Sequence, residues 1–325
     1  MTQEAKTYDP SLLLSLYERM MLIRQFETLV SDLYAKNRIP GFVHLYIGQE
    51  AVAVGACNAL RKDDFITSTH RGHGHVIAKG GDVKKMMAEL YGKETGYCQG
   101  KGGSMHITDM KIGMLGANGI VAGGIPIAVG AAYGAAKIHK TDQVALAFFG
   151  DGATSEGPFY EALTFASAWK LPVIFVCENN LFGVSTHLSR ISPSEDVAPR
   201  VKGWGIPSTI VNGNDVLAVR EATLKAVARA RAGEGPSFIE CKTWRHHGHF
   251  EGENPSYRDG KEHEEWMEKD PIPNFRENLI AEFGVATKSL DEIDLKIEKI
   301  LSEAVEFAES SPYPKPEAAL DHLYV

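Results

Sequence analysis

Apolar residues recur every three or four positions near the start of the chain: Leu12, Leu16, Met20, Ile23, Phe26, Val30 and Leu33. That spacing predicts a long amphipathic helix over 11–36. Similar patterns predict helices over 48–60 and 82–91. Between them, Thr67–His75 mixes polar residues with glycine and reads as a loop. Residues 93–124 are glycine-rich and show no period. An irregular stretch that long fits mainly where it serves a site. From Gly119 to Ala136, glycines alternate with small apolar residues, which predicts a helix packed closely in a core or a subunit interface.

The pattern then changes. Val144–Phe149 and Val173–Cys177 are continuous apolar runs, as strands buried on both faces require. Residues 156–169 between them predict a helix, with Pro158 in its first turn. Thr209–Val211 and Ser237–Cys241 predict two more strands, around a helix at 216–232. This alternation predicts an α/β fold, a mostly parallel sheet covered by helices on both faces. Helices at 274–283 and 290–309 follow, then a tail spaced by Pro312, Pro314 and Pro316. With no repeat or linker in view, the chain is expected to form a single domain over 1–325. Residues 1–36 form its N-terminal helical segment, and 262–325 its C-terminal helices and proline-containing tail.

Composition narrows the function classes. The net charge is −8 and the pI about 5.9, which speaks against nucleic acid or an acidic membrane surface as partner. No apolar run reaches the length of a membrane span. The N-terminal MTQEAKTYDP carries Glu4 and Asp9 and reads as neither signal peptide nor transit segment. The four cysteines show no CxxC spacing, so the expected setting is a reducing one, the cytoplasm.

Two motifs carry chemistry. Gly150-Asp151-Gly152 and Asn179-Asn180 each follow a predicted parallel strand, on the sheet edge where ligands bind in open α/β folds. Asp151 offers a carboxylate and Asn180 an amide oxygen, the donors a hard cation such as Mg2+ takes. Glycines let backbone approach a phosphate. A helix beginning near Ser155 can aim its free N–H groups at an anion. Alone, the first motif is equally a tight strand-to-helix turn. The pair, 26 residues apart, spans one helix and one strand.

This spacing resembles the thiamine-diphosphate signature. The likeness extends over roughly 10–317, through Gly41–Leu45, Gly48–Ala51, Gly100–His106, Gly116–Val121 and Glu178–Asn180. The chain resembles the α subunit of the E1 component of 2-oxoacid and acetoin dehydrogenase complexes. The resemblance implies the thiamine-diphosphate-binding fold, thiamine diphosphate and Mg2+ as cofactors, and Asp151, Asn180 and the Phe182 carbonyl as metal ligands. It also implies that Arg71 with His70 meets the diphosphate, that Gly152 and Ala153 approach it, and that Gly119 and Val121 meet the aminopyrimidine. His249 would bind the diphosphate end and assist proton transfer, and His44 would face the substrate. On sequence alone His249 reads more readily as a surface-loop histidine, and His44 reads equally as a helix-cap or packing residue. The ylid-forming glutamate would come from an E1 β subunit in an α2β2 tetramer, with a lipoyl-bearing E2 as acyl acceptor. The substrate would be a small carbonyl compound.

Acetoin is favoured over pyruvate, and branched-chain 2-oxoacids stand third. Ser68–His75, Met114–Gly119, Gly248–Gly252 and Ser311–Pro314 resemble acetoin-type chains. Pyruvate-type chains often carry Tyr where His70 stands, and Ser where Phe250 stands. Two other classes remain. Half of a transketolase would share the glycine and asparagine motifs but not the 101–106 and 247–250 segments. A nucleotide-binding regulator would need a GxGxxG after its first strand, which is lacking there.

Overall fold

The computed structural model describes residues 8–321. The first seven and last four residues lie outside the described residues, and with them most of the N-terminal segment read for targeting signals.

The sheet forms from the predicted apolar runs. β2 (Ala145–Gly150), β3 (Val173–Asn179) and β7 (Ser237–Lys242) are its centre, with β1 (Phe65–Thr67) and β6 (Ser208–Asn212) at the edges. The order is β1-β2-β3-β7-β6, every pair parallel. Side chains alternate across the pleat into two cores. Leu146, Phe148, Ile174 and Val176 enter one; Ala145, Ala147, Phe149, Phe175 and Cys177 enter the other. Both faces are apolar, so the runs are unbroken rather than alternating.

The first core lies under α1 (Pro10–Ala35), α2 (Glu50–Asn58), α3 (His73–Ala78), α4 (Val83–Leu90), α7 (Val216–Arg231), α9 (Pro271–Ala281) and α10 (Thr287–Ser310). The second lies under α5 (Gly124–Tyr133), α6 (Gly157–Ala168) and a 3-10 segment, Ala198–Trp204. Asp9 caps α1, accepting the Ser11 N–H at 2.8 Å, with Pro10 opening the helix. No helix of the described residues is long and apolar enough to cross a membrane.

Several expectations need correcting. The predicted loop at 67–75 holds the end of β1 and the start of α3. A three-residue strand is too short to show a period. The helix expected from Gly119 begins at Gly124 and continues through a π-helical turn, Gly134–His139. It buries Ile125, Ala128 and Ala132, but Ile127, Tyr133 and Ile138 are exposed, and a Cβ at Gly130 or Gly134 would meet nothing. The close packing expected of this helix is therefore found on one side only. A small hairpin, β4 (Phe182–Gly183) and β5 (Thr186–His187), and α8 (Gly260–Met267) had no clear pattern in advance.

The irregular segment before α5 is held from within. The Glu89 carboxylate on α4 is fully buried and accepts four backbone N–H groups, of Cys98, Gly100, Gly102 and Gly103, at 2.8–3.0 Å. Converging donors replace the water this charge gives up.

Candidate active site

A cavity of about 430 Å3 opens at the carboxyl ends of β1, β2 and β3, where open parallel sheets bind ligands. Gly150 pairs with Glu178 in register, so the motifs that follow β2 and β3 emerge side by side.

Asp151 is fully buried between Gly150 and Gly152, which line the cavity. Its Oδ1 accepts the backbone N–H of Asn180 at 3.2 Å, while Oδ2 is buried without a partner. Burial pushes the carboxyl up to about 6. An unpaired buried oxygen of this kind is costly, and a cation satisfies it. Gln49 sets the Asn180 amide: Nδ2 donates to Gln49 Oε1 at 3.0 Å, leaving Oδ1 with only a long 3.4 Å contact to the Phe182 N–H. Asn179 does different work, donating to Glu240 at 2.6 Å. Leu181 then adopts φ +69°, a left-handed turn uncommon for a branched residue. The chain comes back as β4 beside the turn at 151–155, and a Cβ on Gly152 would stand 3.2 Å from Gly183 Cα. Asp151 and Asn180 thus offer oxygen donors at one end of the cavity, with Phe182 also in its lining, and the orphaned Oδ2 fits a hard cation. A correction applies here: α6 begins at Gly157, so the free N–H groups near Gly152 belong to the 3-10 turn Asp151–Ser155.

The facing wall is cationic and imidazole-rich. His44, His70 and His249 bring their rings to centroid separations of 4.7, 5.1 and 5.0 Å. Burial, then repulsion from Arg71, pushes His44 and His249 down to about 3 and His70 well below its ordinary value. All three rings are therefore neutral near pH 7. Arg71 is buried, donating to the carbonyls of Leu45 and, at 2.9 Å, His249. Burial pulls it down to about 9, with Arg245 adding repulsion. Arg245 donates to His249 Nδ1 at 2.8 Å and to the Val184 carbonyl at 2.9 Å. With Nδ1 accepting, the His249 proton sits on Nε2. Arg258 fixes this loop, packing 4.9 Å over Trp244 and donating to the His247 carbonyl at 2.7 Å.

His44, His70, Arg71, Gly119, Val121, Gly152, Ala153, Asn180, Phe182 and His249 all line this cavity, with Asp151 beneath it. The sequence reading passed over Arg245 and the Gln49 clamp. Arg245 stood in the same segment as His249, directly after β7, and a second cation there was the available signal. Two guanidiniums and neutral imidazoles share this cavity with oxygen donors, a combination with the chemistry to suit a cation-bridged polyanion.

Residues 18–317 match the family model described as dehydrogenase E1 component. The α subunit of acetoin:2,6-dichlorophenolindophenol oxidoreductase from Bacillus subtilis is 49% identical over 311 residues, covering 95% of this chain and 92% of the relative. Its counterpart from Cupriavidus necator is 45% identical, covering 98% and 95%. A pyruvate dehydrogenase E1 component subunit alpha from Zymomonas mobilis is 42% identical, covering 98% and 90%. With likeness of this degree along nearly its whole length, the chain belongs to the dehydrogenase E1 component family, on its α-subunit side.

Proposed function

We propose that the chain is the α subunit of an E1 enzyme that uses thiamine diphosphate and Mg2+ to cleave a C–C bond next to a carbonyl, acetoin being the favoured substrate. The acyl unit passes to the lipoyl group of an E2 partner. The observation that carries this reading is the buried, unpaired oxygen of Asp151 beside the Gln49-oriented Asn180 amide. In this reading Asp151, Asn180 and the Phe182 carbonyl hold Mg2+. Arg71 with His70 takes the diphosphate, which Gly152 and Ala153 let the backbone approach. Gly119 and Val121 meet the aminopyrimidine. When bound, thiamine diphosphate supplies the carbon nucleophile and the electron sink. His249, neutral with its proton on Nε2, donates or exchanges that proton during acyl transfer, and His44 stands on the substrate side.

A second chain completes the site. Ile120 and Val121 line the cavity yet are 74% and 49% exposed. They adjoin the bare side of α5, with Phe165 and Trp169 of the α6 region also exposed. Such an apolar surface supports a protein partner, and the E1 β subunit, in an α2β2 tetramer, is the one proposed. It brings the glutamate that acts on the pyrimidine. A reducing, cytoplasmic setting belongs to the same reading, since all four cysteines are unpaired. Acetoin is favoured because the acetoin-named relatives reach 49% and 45% identity, against 42% for the pyruvate-named one.

Calorimetry on the α plus β pair tests the cofactor. Thiamine diphosphate should bind only with Mg2+ and only with Asp151 intact; no binding, or binding indifferent to Asp151→Ala, overturns the reading. Steady-state assays with an artificial electron acceptor test the substrate, and a larger kcat/KM for pyruvate than for acetoin reverses that choice.

A further inference from the structure

Two histidines on α3, His73 and His75, take no part in that reading, yet both are fully buried. His75 stacks on Phe148 at 3.8 Å, and both of its nitrogens are engaged. Nε2 lies 3.0 Å from Glu178 Oε1, and Nδ1 lies 2.7 Å from Ser68 Oγ. The Tyr46 hydroxyl donates to the same Glu178 oxygen. Ser68 and Glu178 both line the cavity. His73 has a parallel pair of contacts, to Glu27 at 2.9 Å and Ser104 at 3.0 Å, but neither partner reaches the cavity wall. His73 therefore ties two segments together, whereas the His75 chain ends at the cavity wall.

Donor rules set the polarity of that chain. Burial pushes the Tyr46 phenol well above its ordinary value, so Tyr46 donates. A carboxylate only accepts, so the His75 nitrogen facing it carries the hydrogen. In the tautomer with its hydrogen on Nε2 alone, Nδ1 holds a lone pair, and the Ser68 hydroxyl gives its single proton inward. What Ser68 Oγ can turn to the cavity is then a lone pair.

We propose that Tyr46, Glu178 and His75 are positioning residues that fix Ser68 Oγ as a hydrogen-bond acceptor for a ligand N–H or O–H. This rests on the reading that the cavity takes thiamine diphosphate and a carbonyl substrate. Two donors have the required chemistry: the exocyclic amine of the cofactor and the hydroxyl of a hydroxyketone such as acetoin. Pyruvate, an anion at neutral pH, offers none.

The test uses the α chain with its β partner and three variants, Ser68→Ala, Ser68→Thr and His75→Phe. Calorimetry gives the Kd for thiamine diphosphate with Mg2+, kinetics give KM and kcat for acetoin and pyruvate, and thermal unfolding gives Tm. One neutral hydrogen bond corresponds to about a 3- to 10-fold effect. If the amine is the donor, Ser68→Ala weakens cofactor binding by about that factor whichever substrate follows. If the hydroxyl is the donor, Ser68→Ala leaves the cofactor Kd alone and raises KM for acetoin but not for pyruvate. Either result supports the proposal when Ser68→Thr restores the wild-type value and His75→Phe repeats the Ser68→Ala pattern. The proposal falls if Ser68→Ala changes nothing. It falls equally if the loss is shared by Ser68→Thr and tracks a lowered Tm. Should the wild-type pair bind no thiamine diphosphate, the cofactor reading fails along with it; binding with no effect of Ser68→Ala sinks this inference alone.

Discussion

At the floor of the cavity, Asp151, Asn180 and Gln49 are buried and joined by hydrogen bonds. At its mouth, Ile120 and Val121 stand out into solvent, and Ala122 holds a left-handed φ of 64°. Asp151 and Asn180 follow strand ends of one sheet, placed by parallel pairing and by a core on either face, and Gln49 reaches them from the start of α2. The mouth is a turn leading into a helix packed on one side only. On the function proposed above, a site finished at one end and bare at the other is one half of a shared site. Residues that recognise a charge can be set by one chain's own core, while those that enclose the ligand wait for a second surface.

The largest test of that contrast sets one end against the other. Asp151→Ala should weaken Mg2+-dependent cofactor binding by about a thousandfold, roughly 4 kcal/mol, and should not lower Tm, since it removes a buried unpaired oxygen. Val121→Ala should change the same Kd by no more than about threefold. Equal losses by calorimetry would erase the distinction. Next in size is the bare helix: Ile127→Asp should weaken assembly with the β chain by about a hundredfold in sedimentation, while the isolated α chain keeps its Tm. Unchanged assembly would mean that the partner sits elsewhere.

A smaller effect follows from the histidine wall. His44 and His249 protonate near 3 when folded and near their ordinary value, about 6.5, when unfolded. Between those values the unfolded chain binds more protons, so stability is full above about pH 6.5 and drains as pH falls towards 3. Tm should decline from pH 7 to pH 4, and His249→Asn should flatten the slope; an identical slope would show that these rings are not so shielded. Smallest is Gly152→Ala. Its Cβ would stand 3.2 Å from Gly183 Cα, against 3.9 Å to the nearest atom for a Cβ at Gly150. The cofactor Kd should rise about fivefold for the first, and Gly150→Ala should cost less.

The floor was also the more legible end. Apolar runs such as Val173–Cys177 announce a doubly covered strand, and the residue after such a strand must sit on the sheet edge. Asp151 and Asn180 could therefore be placed from spacing, and the family likeness added the rest of the lining. Arg245 could not, because its value lies in a contact with His249 Nδ1 that depends on how the loop folds back. β1 and α3 were hidden for another reason. Phe65–Thr67 is too short for a period, and His73 and His75 are polar residues inside the core, held there by Glu27, Ser104, Glu178 and Ser68. A pattern of apolar and polar letters records such residues as surface. The bare side of α5 was half legible: its small residues marked close packing in a core or a subunit interface, but not which residues stay exposed in this chain.

Glu89 carries a consequence of a different kind. Its two oxygens reach four amides within six residues, Cys98 to Gly103, and every one of those contacts is to backbone. Side-chain identity there is free only between the glycines: a Cβ at Gly100 would run into the Gly92 backbone, one at Gly102 would stand 3.1 Å from Cys98 Cβ, and Gly103 holds a left-handed φ of +61°. The number of residues is not free, because inserting or deleting one would pull amides off the carboxylate and strand a buried charge. Over evolutionary time this stretch should hold both its length and its glycines, and a library that varies only Gln99 and Lys101 should yield far more folded clones than one that varies its size.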